Sequence, residues 1–308
     1  MIEGFRRSSR RRSLVVIAAF AACAVSAAVA ASVALADPPP ALFAGGKHGI
    51  VFAHGAGHGN PHKGSPQLVS HGGPVMTSGA AVTPIFWGSS WAGYSGDKFA
   101  GIDTFYAGVG STAYAATNGE YTDSSGHVST AVSSSGYLVD SSAAPSAPTT
   151  AQVLAVVARK ISNPKTNGYY PVYSDKKRGR AGYCAWHSWG TIGSTLVQFA
   201  FFFNLDGDAG CDPGDTSSGH TQGLAALGNV SGHELSEALT DPHGNAWYDA
   251  SGAENADKCA WTFSTKLVAF TNGSQWKIQG NWSNAVYLNG GSYKGSGSGC
   301  IDGNQPLG

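Results

Sequence analysis

The run of residues 196–204, LVQFAFFFN, places apolar side chains at almost every position. A strand of this kind hides both of its faces, so its sheet needs a layer of structure on each side. Strand-like and helix-like patterns also alternate along the chain, which is typical of layered proteins. We therefore predict an α/β (α+β) fold in which helices flank a layered mixed sheet.

Other segments supply the remaining elements of this fold. Strand-like patterns occur at residues 81–88, 127–139 and 168–174, and a β-rich C-terminal tail occupies 275–289. A helix is predicted over residues 150–162, because Thr149 or Thr150 can cap its start and Asn163-Pro164 stops it.

A longer helix is predicted over residues 218–240, with Ser217 or Ser218 as its cap and Asp241-Pro242 at its end. Its apolar side chains gather on one stripe, which we expect to face the core. They are Leu224, Leu227, Leu235, Ala238 and Leu239.

The sequence HELSE, which begins at His233, gives this helix the residues of a metal site. At 100° per residue, His233 and Glu237 lie within about 40° of each other, so both can bind one cation such as Zn²⁺. Glu234 points elsewhere and can act as general base on a metal-bound water, as in H-E-x-x-H peptidases. We predict Glu254 as the third ligand, at the spacing of zinc peptidases with a glutamate in that role. Asp257 completes the metal set by orienting a ligand.

Six acidic side chains crowd into 24 residues of a chain in which 12% of residues are charged. They are Glu234, Glu237, Asp241, Asp249, Glu254 and Asp257. Like charges this close repel one another unless a cation or protons neutralise them, which favours a bound metal. The alternative is an ordinary helix surface that contains His-Glu. His187 and His220 are further candidates for the same cleft, although each also fits a hydrogen-bonded structural histidine.

Residues 204–215, NLDGDAGCDPGD, predict a second candidate site, for calcium. The four candidate ligands stand at positions 1, 3, 5 and 12 of a calcium-type loop. They are Asn204, Asp206, Asp208 and Asp215. Glycine stands at position 7 instead of 6, and a strand leads into the loop instead of a helix. A polar turn held by Cys211 is the alternative.

The first 36 residues have the three parts of a secretory signal peptide. Five arginines precede an apolar run from Leu14, and a small-residue cleavage site ends at Ala36. Arg11-Arg12 also fits a twin-arginine signal. An uncleaved membrane anchor is the alternative, because the apolar run is long enough to span a bilayer. We favour cleavage and secretion.

Removal of this leader takes away five arginines and Glu3, which leaves 14 basic and 18 acidic residues and a net charge of −4. A nucleic-acid partner calls for a basic face, so we expect none. No later apolar run has spanning length, so we expect no membrane association after cleavage.

Four cysteines remain after the leader: Cys184, Cys211, Cys259 and Cys300. An even number in an exported chain predicts two disulfides, and three pairings are open. We favour Cys184–Cys211 and Cys259–Cys300, because each closes a loop of moderate length.

Residues 37–68 are rich in glycine, proline and histidine and lack a strand or helix period, which predicts a flexible tether. Its histidines could bind a metal weakly, although a polar linker explains them as well. They are His48, His54, His58 and His62. Residues 69–308 are then a single domain.

Three segments resemble the EXORDIUM, or phosphate-induced extracellular, protein family. They are SHGGPVMTSGAAVTPIFWGSSW at 70–91, NGYYPVYSDKKRGRAGYCAWHSWG at 167–190 and LTDPHGNAWYDASGAENADKC at 239–259. With Cys300, the likeness covers nearly all of residues 69–302. The chain is similar to a bacterial branch that keeps the zincin-like H-E-x-x-E motif, whereas plant members often lack the His-Glu pair. The resemblance implies a secreted, wall-associated protein, without implying one activity.

These features together predict a secreted zinc-dependent hydrolase of the metallopeptidase type. Its partner would be an extracellular peptide or a cell-wall polymer. The alternative is a non-catalytic extracellular binding protein with a structural metal, in which aromatic side chains stack on sugars. The candidates for that stacking are Trp87, Trp91, Trp186 and Trp189.

Overall fold

The computed structural model describes residues 42–56, 67–289 and 299–307. The strands are β1 (Leu42–Ala44), β2 (His48–Phe52), β3 (Val69–Ser70), β4 (Ala80–Val82), β5 (Ile85–Trp87), β6 (Thr122–Asp123), β7 (Gly126–His127), β8 (Val132–Ser134), β9 (Leu138–Asp140), β10 (Gly168–Lys177), β11 (Tyr183–Ile192), β12 (Thr195–Asn204), β13 (Trp247–Tyr248), β14 (Val268–Ala269), β15 (Gln275–Trp276), β16 (Asn281–Trp282) and β17 (Cys300–Ile301). The helices are α1 (Lys98–Val109), α2 (Ala113–Ala116), α3 (Thr150–Lys160), α4 (Gln222–Thr240) and α5 (Asn284–Leu288).

Nine of these strands form one mixed sheet, as the sequence predicts. Its main path runs β1-β11-β12-β10-β4-β8. Strand β10 pairs in parallel with β12, β4 and β5, whereas β11 and β12 form an antiparallel hairpin. Four further pairs of short strands make small two-stranded sheets.

Strand β12 is buried on both faces, which confirms the prediction for residues 196–204. Phe199 and Phe201 point to one side and Phe202 to the other, and none of them is exposed to solvent. Both α3 and α4 contact this strand. On the Phe202 side, Tyr173 stacks on Phe202 and shares a hydrogen bond with Ser231 of α4 at 2.7 Å. Helices therefore cover the sheet as a layered fold requires.

Helix α3 begins where the sequence predicts, because Thr149 and Gln152 form a capping box. Helix α4 begins later than predicted. Its cap is Thr221, whose hydroxyl accepts from the amide of Leu224, whereas Ser217 and Ser218 are both held by Asp215. The prediction of a start at residue 218 is therefore wrong, and the helix is 19 residues long.

The long helix α4 is buried around its whole circumference, not along one stripe. Three of its glycines allow this close packing. A Cβ at Gly228 would lie 2.5 Å from the Trp276 ring, and one at Gly232 would lie 2.9 Å from the Tyr114 hydroxyl. At Gly223 the nearest atom would be Asp206 Oδ1 at 1.9 Å. The helix is thus enclosed by the sheet, by α1 and Tyr114 before it and by the segment that follows it.

Both predicted disulfides are present. Cys184 on β11 pairs with Cys211, and Cys259 pairs with Cys300 on β17. They close loops of 27 and 41 residues. Loops of this length stabilise a fold by about 3–4 kcal/mol each in the chain-entropy model.

Residues 42–56 correct the prediction of a flexible tether over 37–68. Strand β1 pairs with β11 at Gly190–Ile192, and β2 pairs with β11 between Tyr183 and His187. The alternation that marks a strand was hidden by glycines and histidines in this stretch. The predicted leader, with residues 37–41 and 57–66, lies outside the described residues.

All the described residues belong to one compact unit. Within that part of the chain, no helix is long and apolar enough to cross a bilayer.

Candidate metal centre

Helix α4 carries three functional side chains on its last two turns: His233, Glu234 and Glu237. All three are fully buried. Strand β11 faces this part of α4, and the period-2 alternation of β11 directs His187 toward the helix. The segment after α4 then returns with Glu254 and the 3-10 turn Asp257–Cys259. Three chain segments thus converge on one place.

His233, Glu237 and Asp257 form the first group of candidate ligands. His233 Nε2 lies 2.9 Å from Glu237 Oε1 and 3.5 Å from Asp257 Oδ1. The backbone amide of Asp257 donates to the same Glu237 oxygen at 2.8 Å. This contact fixes the turn after α4 against the helix.

Gln279 holds the far side of the His233 ring. Its Nε2 lies 2.9 Å from His233 Nδ1 and donates to the carbonyl of Ala256 at 2.8 Å. With the amide nitrogen as donor, Nδ1 is the acceptor, and a singly protonated ring then carries its proton on Nε2, toward Glu237. A cation on Nε2 therefore requires the Gln279 amide to turn over, so that its oxygen accepts from Nδ1–H.

His187, Glu237 and Glu254 form the second group. His187 Nε2 lies 3.2 Å from Glu254 Oε2 and 3.8 Å from Glu237 Oε2. His187 Nδ1 has no hydrogen-bond partner among the described residues. The sequence offered His187 either as a further candidate for the cleft or as a structural histidine, and the structure places it among the candidate ligands.

Glu237 belongs to both groups and uses a different oxygen in each. The prediction that Glu254 joins His233 and Glu237 is corrected here, because Glu254 meets His187 and Asp257 takes its place beside His233. Donor atoms of a tetrahedral zinc site lie about 3.4 Å apart when each bond is about 2.1 Å. The measured separations of 2.9–3.8 Å therefore suit a small cation in either group.

The pKa values of these groups are shifted by burial and by the charges of their neighbours. Burial, together with the nearby Asp257, raises the pKa of Glu237 to about 7. Burial and Glu237 raise that of Glu254 well above its usual range. Burial alone would lower the pKa of His233, but Glu237 and Asp257 raise it well above normal. Burial, with His48 and His233 nearby, lowers the pKa of His187. A cation would relieve the repulsion among the carboxylates.

Glu234, the predicted general base, is fully buried, and burial raises its pKa well above the usual value. Neither of its carboxylate oxygens has a hydrogen-bond partner of good geometry in the described part of the chain. The backbone amide of Val51 on β2 is close enough to oppose the rise in pKa. Glu234 thus faces β2. A charge on His233 lowers its pKa, and a charge on Glu237 raises it.

The aspartates of the predicted calcium loop do not form a cluster of candidate ligands in the described chain. Asp206 pairs with Lys98 at 2.7 Å, and Asp208 pairs with Arg178 at 2.7 Å. Asp215 accepts from the amides of Ser217 and Ser218, while Asn204 accepts from the amide of Asp206. These residues point to separate partners, and neither candidate ligand group in the described chain includes them. The loop is the polar turn held by Cys211 that the sequence offered as the alternative.

Several other sequence candidates lie outside the centre. His220 packs against Trp276 with the rings tilted and their centroids 4.0 Å apart, and His54 packs against Trp261 in the same way. Trp87, Trp91 and Trp186 are buried in the core, so they cannot stack on sugars. Trp189 is half-buried against Phe43 and His243. His58 and His62 lie outside the described residues.

Gln279 escaped the sequence analysis, and His48 entered it only as a weak metal ligand in a predicted tether. Gln279 lies 46 residues beyond His233 in a tail with no recognisable motif. His48 lies beside His187, with ring centroids 6.1 Å apart, in a stretch that resembles a linker. His187 itself could have been placed from the alternation of residues 183–192.

Comparison with known proteins found no matching family model, no matching curated protein and no matching solved structure. The resemblance to the EXORDIUM family therefore stays a prediction.

Proposed function

We propose that this protein is a secreted zinc-dependent hydrolase whose centre holds two cations bridged by Glu237. One observation carries the proposal: two buried ligand groups share this carboxylate and assign one of its oxygens to each. Carboxylate-bridged metal pairs about 3.5–4 Å apart serve hydrolytic enzymes such as aminopeptidases.

The donor set supports zinc as the metal. Each group combines one imidazole nitrogen with carboxylate oxygens, which zinc accepts in tetrahedral sites. Calcium prefers six to eight oxygen ligands and magnesium an octahedron of oxygens, so both fit a histidine-containing group poorly. Burial of the ligands further favours a cation that sheds its water.

Zinc, when bound, lowers the pKa of a water ligand and polarises a carbonyl group. Glu234 then has the role of general base. In that role it accepts a proton from water and gives it to the leaving amine as the C–N bond breaks. Gln279 holds His233 in place, and the Asp257 amide fixes the position of Glu237.

Metal analysis of the purified protein tests the proposal directly. We expect two zinc ions per chain, one in His187→Asn and none in Glu237→Ala. Glu120→Gln is the matched control, because Glu120 is a glutamate that accepts from α5 amides away from the centre. A parent protein that binds no zinc contradicts the proposal.

Glu234→Gln separates chemistry from metal binding. The variant keeps the size of the side chain but removes the base. We expect zinc content to be unchanged and hydrolysis of peptide substrates to fall by about 10²–10⁴. Equal rates in the parent and the variant would show that Glu234 is not the base.

A non-catalytic protein with a structural metal is the second candidate function. Its supporting observation is burial, because the side chain of Asp257 is 20% exposed and the other ligands are nearly or fully enclosed. Structural zinc sites are closed, whereas catalytic ones keep an open position. Stoichiometric zinc without hydrolysis in any form of the protein would favour this function over the first.

Secretion is part of the proposal and is supported by the two disulfides, which persist in oxidising compartments. Export of the full chain should yield a mature protein that begins at Asp37. N-terminal sequencing of exported material checks this, and an intact N-terminus would contradict it.

A further inference from the structure

Residues 42–52 lie along one edge of β11 from end to end. Strand β1 pairs with Gly190, Thr191 and Ile192, and β2 continues down to Tyr183, both antiparallel to β11. The opposite edge of β11 pairs with β12. Without this segment, β11 would be an edge strand of the described sheet, with its backbone groups open to a new partner.

Strand β2 also covers the metal centre. Between His48 and Val51 it bulges, so that this four-residue stretch faces the shorter step from His187 to Ala185. Gly49 has a positive φ of 43° and lies against the ligands. A Cβ at Gly49 would lie 1.9 Å from Glu237 Oε2 and 2.4 Å from His187 Cδ2.

The same strand covers the proposed base. The backbone of Val51 faces Glu234, and both Gly49 and Val51 are buried while their neighbours are partly exposed. A substrate would have to occupy this position to meet Glu234 and Glu237 together. The enclosure of the centre is therefore due in part to β2.

Backbone groups supply many of the contacts that hold this segment. Besides the ladder with β11, Ala53 donates to Gly182 and His54 donates to Gly210 through backbone amides. The carbonyl of Phe52 accepts from Trp261 Nε1 at 2.8 Å. Backbone pairing of this kind gives affinity, while the small residue beside the ligands and the buried Val51 and Ala53 side chains restrict the sequence.

We propose that the edge of β11 is a peptide-binding groove which residues 42–56 fill in the resting protein. The ligand that takes their place is an extended peptide, paired antiparallel with β11 and carrying a small residue beside Glu237. Hydrolysis of that peptide rests on the proposed function, whereas its binding does not.

A cut in the connecting residues tests the groove in the full chain. A recognition sequence for a specific protease is inserted within residues 57–66, and the protein is folded first and cut afterwards. A fluorescent peptide with the sequence of residues 42–56 is then titrated. We expect saturable one-to-one exchange into the cut protein and binding at least about tenfold weaker to the uncut control. An insertion of equal length that the protease does not recognise is the matched control.

Two glycine variants of the peptide test the position of the groove. Gly49→Ala should bind at least about tenfold more weakly, because its methyl group would meet Glu237. Gly46→Ala should bind like the parent peptide, because its nearest neighbour would be His48 Nε2 at 4.0 Å. Since the changes are in the peptide, neither can unfold the protein.

Absence of peptide binding to the cut protein would overturn the proposal. Loss of the near-ultraviolet circular dichroism when the strand leaves would overturn it as well, because β2 would then be an integral part of the fold. Peptide binding without zinc or hydrolysis would contradict the proposed hydrolase function and support the peptide-binding groove. Hydrolysis by the cut protein without binding of the 42–56 peptide would support the hydrolase function and contradict the groove.

Discussion

Two acid-rich stretches of this chain lie in different electrostatic surroundings. In the loop at 204–215, Asp206 faces Lys98 and Asp208 faces Arg178. In the metal centre, Glu237, Glu254 and Asp257 face histidines and one another, and burial raises the pKa values of Glu237 and Glu254. The loop pairs its acids with lysine and arginine, whereas the acids of the candidate centre pair with histidines, an arrangement that could hold a metal ion.

The acid-rich stretch at residues 234–257 itself contains one carboxylate that is paired with a lysine. Asp249 is fully buried, like Glu237, yet its Oδ2 lies 2.9 Å from the ammonium group of Lys258. Its other oxygen accepts from Ser251 and from the amide of Ala253. The pKa of Asp249 is lowered, because these bonds outweigh burial. A dense run of acids therefore does not by itself identify a metal site, because a carboxylate that already has a lysine or arginine partner is a poor metal ligand.

The largest expected effect is zinc-dependent stabilisation of the centre. At free zinc about 1,000 times the dissociation constant, linkage predicts about 4 kcal/mol of added stability for each zinc ion bound. Glu237→Gln should lose this response, because Glu237 belongs to both ligand groups. Chemical denaturation with and without zinc measures it. Asp215→Asn, a neutralisation in the loop, should keep the full response. Zinc-dependent stabilisation that persists in Glu237→Gln would show that the two acid-rich stretches do not differ in metal binding through Glu237.

The next effect concerns Asp249. Asp249→Asn should lower the free energy of unfolding by about 3 kcal/mol, since it removes the carboxylate from a buried ion pair with Lys258. Zinc content should stay unchanged, because Asp249 belongs to neither ligand group. Urea unfolding and metal analysis of the same preparation check both statements. Loss of zinc in this variant would show that the two parts of the stretch are not separate.

Asp208 gives a smaller effect with a defined pH dependence. Arg178 lowers the pKa of Asp208 below its usual value, so this group stabilises the fold above its unfolded pKa of about 3.9. Asp208→Asn should therefore cost about 1 kcal/mol at pH 7, allowing for solvent screening of a partly exposed pair. The difference should vanish as the pH falls below that value. Asp212→Asn is the control, because Asp212 bonds to the amide of Gly214. A pH-independent difference would contradict the ion-pair explanation.

Much of the fold follows from local sequence patterns. The apolar run of β12 and the cap of α3 each depend on nearby residues. The two disulfides follow from the even number of cysteines after the leader. The start of α4 was misplaced because several hydroxyl residues compete there, and Asp215 holds Ser218 while Thr221 remains to cap the helix.

The candidate site was predictable only in part, for a related reason. His233, Glu234 and Glu237 share one helix, so their spacing places them together. Glu254 lies beside His187 and Asp257 beside His233 because of the path of the chain after α4. The sequence of that segment has no helix or strand periodicity from which its path could be predicted. The roles of Gly49 and Gln279 depend on contacts across 188 and 46 residues, beyond the reach of any local pattern.

The smallest expected effect is the response of the 204–215 loop to calcium. Lys98 and Arg178 already neutralise Asp206 and Asp208, so a calcium ion would have to displace two protein cations. We expect the melting temperature of the parent protein to be the same in calcium and in chelator specific for calcium. Asp206→Ala combined with Asp208→Ala should lower it equally in both conditions, because the loss is of ion pairs and not of a ligand. A calcium-dependent rise in the parent that the double variant lacks would restore the loop as a metal site. It would also remove the principle drawn from the comparison, that carboxylates with their own protein cations do not recruit a metal.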